Sequence, residues 1–97
     1  MTRETNLKSN CKKWYQNNYN NYVLLPEQYI KTGDPDMIIC HDGFFIAIEF
    51  KLEYNKPTEL QKFKLDFIKN SGGKSFVCYS LKEFQRIIRG LDEQYNK

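Results

Sequence analysis

The 97-residue sequence predicts a single α/β domain spanning residues 1–97, with a mixed sheet and helices over both of its faces. Three observations carry this. "DMIIC" and "FFIAIEFK" flank Asp42-Gly43, a two-residue hairpin turn, and both runs are apolar on both sides of the pleat. Residues 58–70 and 80–91 repeat apolar positions at helical spacing behind their own capping signals. Between them "KSFVCY" reads as a strand, so the helix before it serves as a crossover and the sheet is mixed.

The first element in chain order is a helix over residues 2–16. Leu7, Cys11 and Trp14 fall at i, i+4 and i+7, Thr2 is placed to cap it, and Glu4 sits in the first turn, where the helix dipole favours an acid. The Asn-rich "YQNNYNNY" ends it. "YVLL" is a short strand interrupted by Pro26, "QYIK" resumes it, and "TGDP" is a turn.

The hairpin comes next, and its tight turn sets the register. His41 lies opposite Phe44, Cys40 opposite Phe45, Ile39 opposite Ile46, Ile38 opposite Ala47 and Met37 opposite Ile48. The next pair along is Asp36 with Glu49. In the second helix Leu60, Phe63, Phe67 and Ile68 form the expected buried face, with a Thr58/Gln61 capping box before it and Ser71-Gly72-Gly73 after it. Ser80 and Glu83 open a last helix, buried through Leu81, Phe84, Ile87, Ile88 and Leu91. The tail "DEQYNK" reads as frayed.

Composition excludes several classes. With 40% hydrophobic and 15% aromatic residues the chain folds, and it has no apolar run long enough to span a membrane. "MTRETNLKSNCKKW" lacks the apolar stretch of a secretory signal. Cys11, Cys40 and Cys78 are odd in number, far apart and without a CxxC pair, so they read as reduced, mostly buried thiols of a cytosolic protein. His41 has no Cys or His near it, which argues against zinc. A net charge of +3 is compatible with a polyanionic partner and equally with an ordinary surface.

The chemistry concentrates in "GDPDMIICHDGFFIAIEFK", residues 33–51. The register makes Asp36 and Glu49 cross-strand neighbours on one face, with Cβ atoms roughly 4.5–5.5 Å apart. Like charges there repel, so the pair is either solvated at the end of the sheet or shares a cation. Carboxylate oxygens with open positions suit Mg²⁺ or Mn²⁺. Strand alternation places Lys51 on the same face as Glu49 and turns Phe50 into the core. Two acids and a lysine so arranged fit metal-assisted hydrolysis of a phosphodiester. Gln61 serves either as a cap partner of Thr58 or as a polar group aimed at the same site. Glu4 is either a favourable helix-end charge or a third ligand reaching from the first helix.

These residues resemble the PD-(D/E)xK nuclease superfamily and, within it, the small stand-alone VRR-NUC proteins of phages and bacteria. The match runs through Gly33-Asp34-Pro35-Asp36, then Glu49-Phe50-Lys51, then Gln61 opening a helix, Gly72 or Gly73 after it, and "SFVCYS". The resemblance implies a restriction-endonuclease-like αβββαβ core with an extra C-terminal helix. It also implies a divalent-metal-dependent DNA endonuclease, selective for branched or four-way-junction DNA or acting as a nicking enzyme. Asp36, Glu49 and the Phe50 backbone carbonyl would be metal ligands, Lys51 catalytic and Gln61 supporting. The acid that the family supplies from its first helix falls either at Glu4 or near Lys8, which is not an acid. Asp34 is a second departure, because the family more often has an apolar or basic residue before the proline.

The resemblance further implies a homodimer, whose two-fold symmetry offers two sites for two strands, in the cytoplasm of a bacterium or a phage-infected host. Lys12, Lys13, Lys31, Lys56, Lys62, Lys74 and Arg86 are candidates for phosphate contact, with backbone or structure readout of DNA. The alternative is a non-catalytic DNA-binding or dimerisation module that retains the fold, and a third reading is an α/β adaptor whose acids are solvated. Facing acids beside a lysine favour the enzyme, because a binding module has no use for them.

Overall fold

The computed structural model describes residues 3–26 and 33–95, so the expected strand at "QYIK", the Thr2 cap and Lys31 lie outside the described residues. The elements run α1 (Arg3–Asn18), β1 (Val23–Leu24), β2 (Met37–His41), β3 (Phe44–Phe50), α2 (Glu59–Asn70), β4 (Lys74–Cys78) and α3 (Leu81–Tyr95). The sheet order is β1-β2-β3-β4, antiparallel except for the β3–β4 pair, which is parallel across the α2 crossover. This is the predicted αβββαβ core with an added C-terminal helix.

The hairpin register is the one read from the sequence, from His41↔Phe44 to Met37↔Ile48. It holds because Asp42 and Gly43 both take positive φ, 50° and 93°, in the mirror-image turn whose twist matches the strands. Gly33 is also at positive φ, 77°, and a Cβ there would come within 2.6 Å of the Leu60 side chain. A glycine is therefore required where the chain turns under α2 to enter β2.

One face of the sheet carries the core. Met37, Ile39, Ile46, Ile48, Phe50 and Cys78 pack there against Cys11 and Tyr15 of α1 and Phe84, Ile88 and Leu91 of α3. Leu7, Trp14, Leu81 and Ile87 lie half-buried around it, so the stripes read for the first and last helices face the core. Among the described residues no helix is long and apolar enough to cross a membrane.

The other face differs from expectation. On α2 the buried residue is Leu65, while Leu60, Phe63 and Phe67 are 45%, 62% and 61% exposed. Positions 60-63-67 and 61-65-68 are both helical stripes, and the sheet takes the second. Gln61 reaches down to Glu49 and the Leu65 carbonyl accepts from the Ser75 hydroxyl of β4, which together fix the rotation of the helix. Cover on this face is also incomplete: Leu24, Cys40 and Phe45 remain exposed. Cys11 and Cys78 are buried as expected, and burial pushes their thiols up to about 12 and about 11.

The C-terminal segment is not frayed at Asp92. α3 continues through Tyr95 because Asp92 accepts hydrogen bonds from the buried His41 and the half-buried Tyr19.

Candidate active site

The PD and ExK segments meet at one end of the β2–β3 pair. Asp36 sits one residue before β2, where the ladder has run out, and its Oδ2 accepts the Phe50 N–H at 2.8 Å. The side chain thus replaces a missing backbone acceptor, which pins the carboxylate beside β3. Asp36 and Glu49 are 7% and 1% exposed, so two acids are buried together. The pair is not solvated.

Electrostatics follow from that burial. Desolvation first, then the adjacent Asp36 carboxylate, push the Glu49 carboxyl up to about 7, against the opposing pull of Lys51. Lys51 Nζ lies 3.5 Å from Glu49 Oε2, and the Lys51 N–H extends the parallel ladder by donating to the Cys78 carbonyl. The other Glu49 oxygen, Oε1, is buried and has no hydrogen-bond partner among the described residues. An orphaned carboxylate oxygen at a two-acid site is what a bound hard cation would satisfy.

Gln61 closes the cap of α2 and also reaches the Glu49 carboxylate. Its Oε1 accepts the Thr58 N–H at 2.8 Å, closing the capping box, and its Nε2 donates to Glu49 Oε2 at 2.9 Å. The carbonyl and amine halves of one amide point in different directions, so one job does not cost the other.

Glu4 is less closely held. With Thr5, Lys8, Asp36 and Leu52 it lines a cavity of about 320 Å³ beside the acids. Among the described residues it does not join Asp36 and Glu49 in a group of three ligand atoms within 4.8 Å. Asp34 is paired with Lys64 at 3.1 Å, which offsets the extra negative charge before Pro35. The candidate phosphate-binding lysines are dispersed. Lys12 and Lys13 ride on α1, Lys56 is exposed in the loop before α2, and Lys62 pairs with Glu59 at 3.5 Å.

One polar cluster had no signal in the sequence. His41, Asp42 and Asp92 bring ligand atoms within 4.8 Å of one another. They lie at the far end of β2 from Asp36, about 17 Å away by strand rise. Both ring nitrogens of the buried His41 are engaged, Nδ1 with Tyr15 Oη at 2.5 Å and Nε2 with Asp92 Oδ1 at 2.6 Å. Tyr15 accepts from Asn21 and Tyr19 donates to Asp92, so one chain of hydrogen bonds satisfies every member. The cluster ties α1, β2 and α3 together. His41 and Tyr19, which bond to Asp92, are 51 and 73 residues from it, beyond the reach of spacing rules.

No family model matches the sequence, and no curated protein matches it. The fold is nonetheless that of a solved VRR-NUC domain, with a TM-score of 0.79 at 22% identity over 92% of this chain and 97% of the other. The resemblance drawn from the GDPD and EFK segments and the likeness of whole folds thus point the same way.

Proposed function

We infer that the chain is a nuclease of the VRR-NUC type that hydrolyses DNA phosphodiester bonds with the help of Mg²⁺ or Mn²⁺. The observation that carries this reading is the buried Asp36–Glu49 pair with one orphaned Glu49 oxygen and Lys51 at 3.5 Å. An all-oxygen donor set of this kind fits a hard divalent cation.

Asp36, Glu49 and the Phe50 backbone carbonyl are the residues that would hold the ion, with Glu4 facing the same cavity as a more distant acid. Bound there, the cation supplies Lewis acidity at the phosphate and favours hydroxide over water. The chain's own residues do the rest. The Phe50 N–H holds the Asp36 carboxylate still, and the Gln61 amide holds Glu49. Lys51 places a positive charge where charge builds up on the phosphate oxygens. Burial of the acids keeps these interactions strong by excluding water.

Lys12, Lys13, Lys31, Lys56 and Lys62 would contact phosphates without reading bases, so substrate choice would follow DNA structure, branched or four-way-junction DNA included. A homodimer would supply two such sites about a two-fold axis. The test is cleavage of supercoiled plasmid and a synthetic four-way junction with Mg²⁺ or Mn²⁺. Wild type should cut while Asp36→Ala, Glu49→Ala and Lys51→Ala should not. Equal cutting by all four proteins would refute the assignment.

A further inference from the structure

In the cluster of His41, Asp42 and Asp92, a residue from outside holds each group by one of its two polar atoms. His41 Nδ1 meets Tyr15 Oη at 2.5 Å, Asp92 Oδ2 accepts from Tyr19 Oη at 2.5 Å, and Asp42 Oδ1 accepts from Asn21 Nδ2 at 3.3 Å. The second atom of each group is left for the others. His41 Nε2 lies 2.6 Å from Asp92 Oδ1 and 4.0 Å from Asp42 Oδ2. Two ligands of a tetrahedral Zn²⁺ at ordinary bond lengths stand about 3.3 Å apart, between those two values.

Charge points the same way. Among the described residues neither carboxylate pairs with a lysine or an arginine, and the one base that both meet is His41. Two acids thus converge on a single imidazole nitrogen with their charge uncompensated, which a divalent cation would offset. The His41 side chain is fully buried, whereas those of Asp42 and Asp92 are 65% and 26% exposed. The cluster therefore opens to solvent on its carboxylate side, where an ion can enter and keep water as a further ligand. Burial above all pushes the Tyr15 and Tyr19 hydroxyls up to about 12, so both stay protonated and orient the ligands without joining them.

We propose that His41 Nε2, Asp42 and Asp92 form a binding site for a borderline divalent cation, Zn²⁺ foremost, which would clamp the hairpin turn to α3. The mixed nitrogen and oxygen donors set it apart from the all-oxygen Asp36–Glu49 pair, and it is independent of the nuclease reading. The ion needs a bare Nε2, so the proton of the neutral ring sits on Nδ1 and is donated to Tyr15 Oη. The lack of a Cys or His neighbour, which argues against zinc in the sequence, is met by two carboxylates, one adjacent in the chain and one brought in by α3.

His41 is the only histidine in the chain, so the NMR signals of its ring nitrogens report on this site alone. Zn²⁺ added to the full chain at neutral pH, with excess Mg²⁺ present, should shift the Nε2 signal, leave Nδ1 protonated and raise the melting temperature. In calorimetry Asp42→Asn should weaken Zn²⁺ binding at least ~10-fold while keeping the hairpin, because Asn-Gly suits the same turn. Glu49→Gln should leave that affinity within about twofold, since the acid pair stands at the other end of β2. A His41 ring that ignores Zn²⁺ overturns the site, and so does an unchanged affinity in Asp42→Asn. Binding lost in Glu49→Gln but kept in Asp42→Asn assigns the ion to the acid pair and overturns it equally.

Discussion

Gln61 Nε2 donates to Glu49 Oε2 at 2.9 Å while the same amide's oxygen closes the cap of α2, so the start of a helix is bolted to a buried acid. Substitutions separate the two functions. Gln61→Glu keeps the acceptor for Thr58 but puts a carboxylate against Glu49. It should retain most of the cap yet lower cleavage by at least ~10-fold. Gln61→Ala should lose both, costing about 1–2 kcal/mol in urea unfolding as well. A Gln61→Ala protein as stable as wild type would show that the cap oxygen contributes nothing.

Glu49 makes the metal-free fold sensitive to pH. Its carboxyl titrates near 7 in the folded protein, above its ordinary value of 4.5, so the folded state holds its proton longer than the unfolded one. Stability from this group is fully present below about pH 4.5 and is lost as pH rises through about 7, by up to ~3 kcal/mol. Unfolding midpoints measured without divalent ions should fall over that window. They should flatten in Glu49→Gln, and Mn²⁺ should restore wild-type stability at pH 8. A Glu49→Gln curve that falls as steeply as wild type would assign the effect to another group.

Lys51 opposes the acids electrostatically and should act on catalysis and ion binding with opposite signs. Removing its charge 3.5 Å from Glu49 leaves the carboxylates more negative. Lys51→Ala should therefore bind Mn²⁺ at least as tightly as wild type in a calorimetric titration while losing ~10²-fold or more in cleavage rate. Loss of Mn²⁺ binding in that variant would make the lysine a structural support of the site.

The His41 network should matter to stability and not to chemistry. Asp92→Ala strips the acceptor from the buried His41 Nε2 and from Tyr19, which should cost about 2–4 kcal/mol. Cleavage measured well below the melting temperature should stay within about twofold of wild type, because the cluster stands at the opposite end of β2 from Asp36. A selective loss of activity in a fully folded Asp92→Ala protein would place this cluster in the reaction.

Local rules were enough for much of this molecule. Asp42-Gly43 dictates a turn whose register runs to Met37 and Ile48 and so brings the segments that carry Asp36 and Glu49 to the same end of the hairpin, and alternation carries Glu49 to Lys51. Thr58 and Gln61 sit within one helical turn. None of these relations reaches further than one tight bend or one turn of helix, where backbone geometry leaves few choices. The sequence also offers two helical stripes on α2 and cannot rank them, since 60-63-67 is the more apolar and is the one left outside. That choice came from contacts between distant segments, Gln61 to Glu49 and Leu65 to Ser75, as did the bonding of Asp92 to His41. Periodicity states which residues share a side of an element. Which side turns inward is settled by the shape and hydrogen-bonding needs of whatever packs against it.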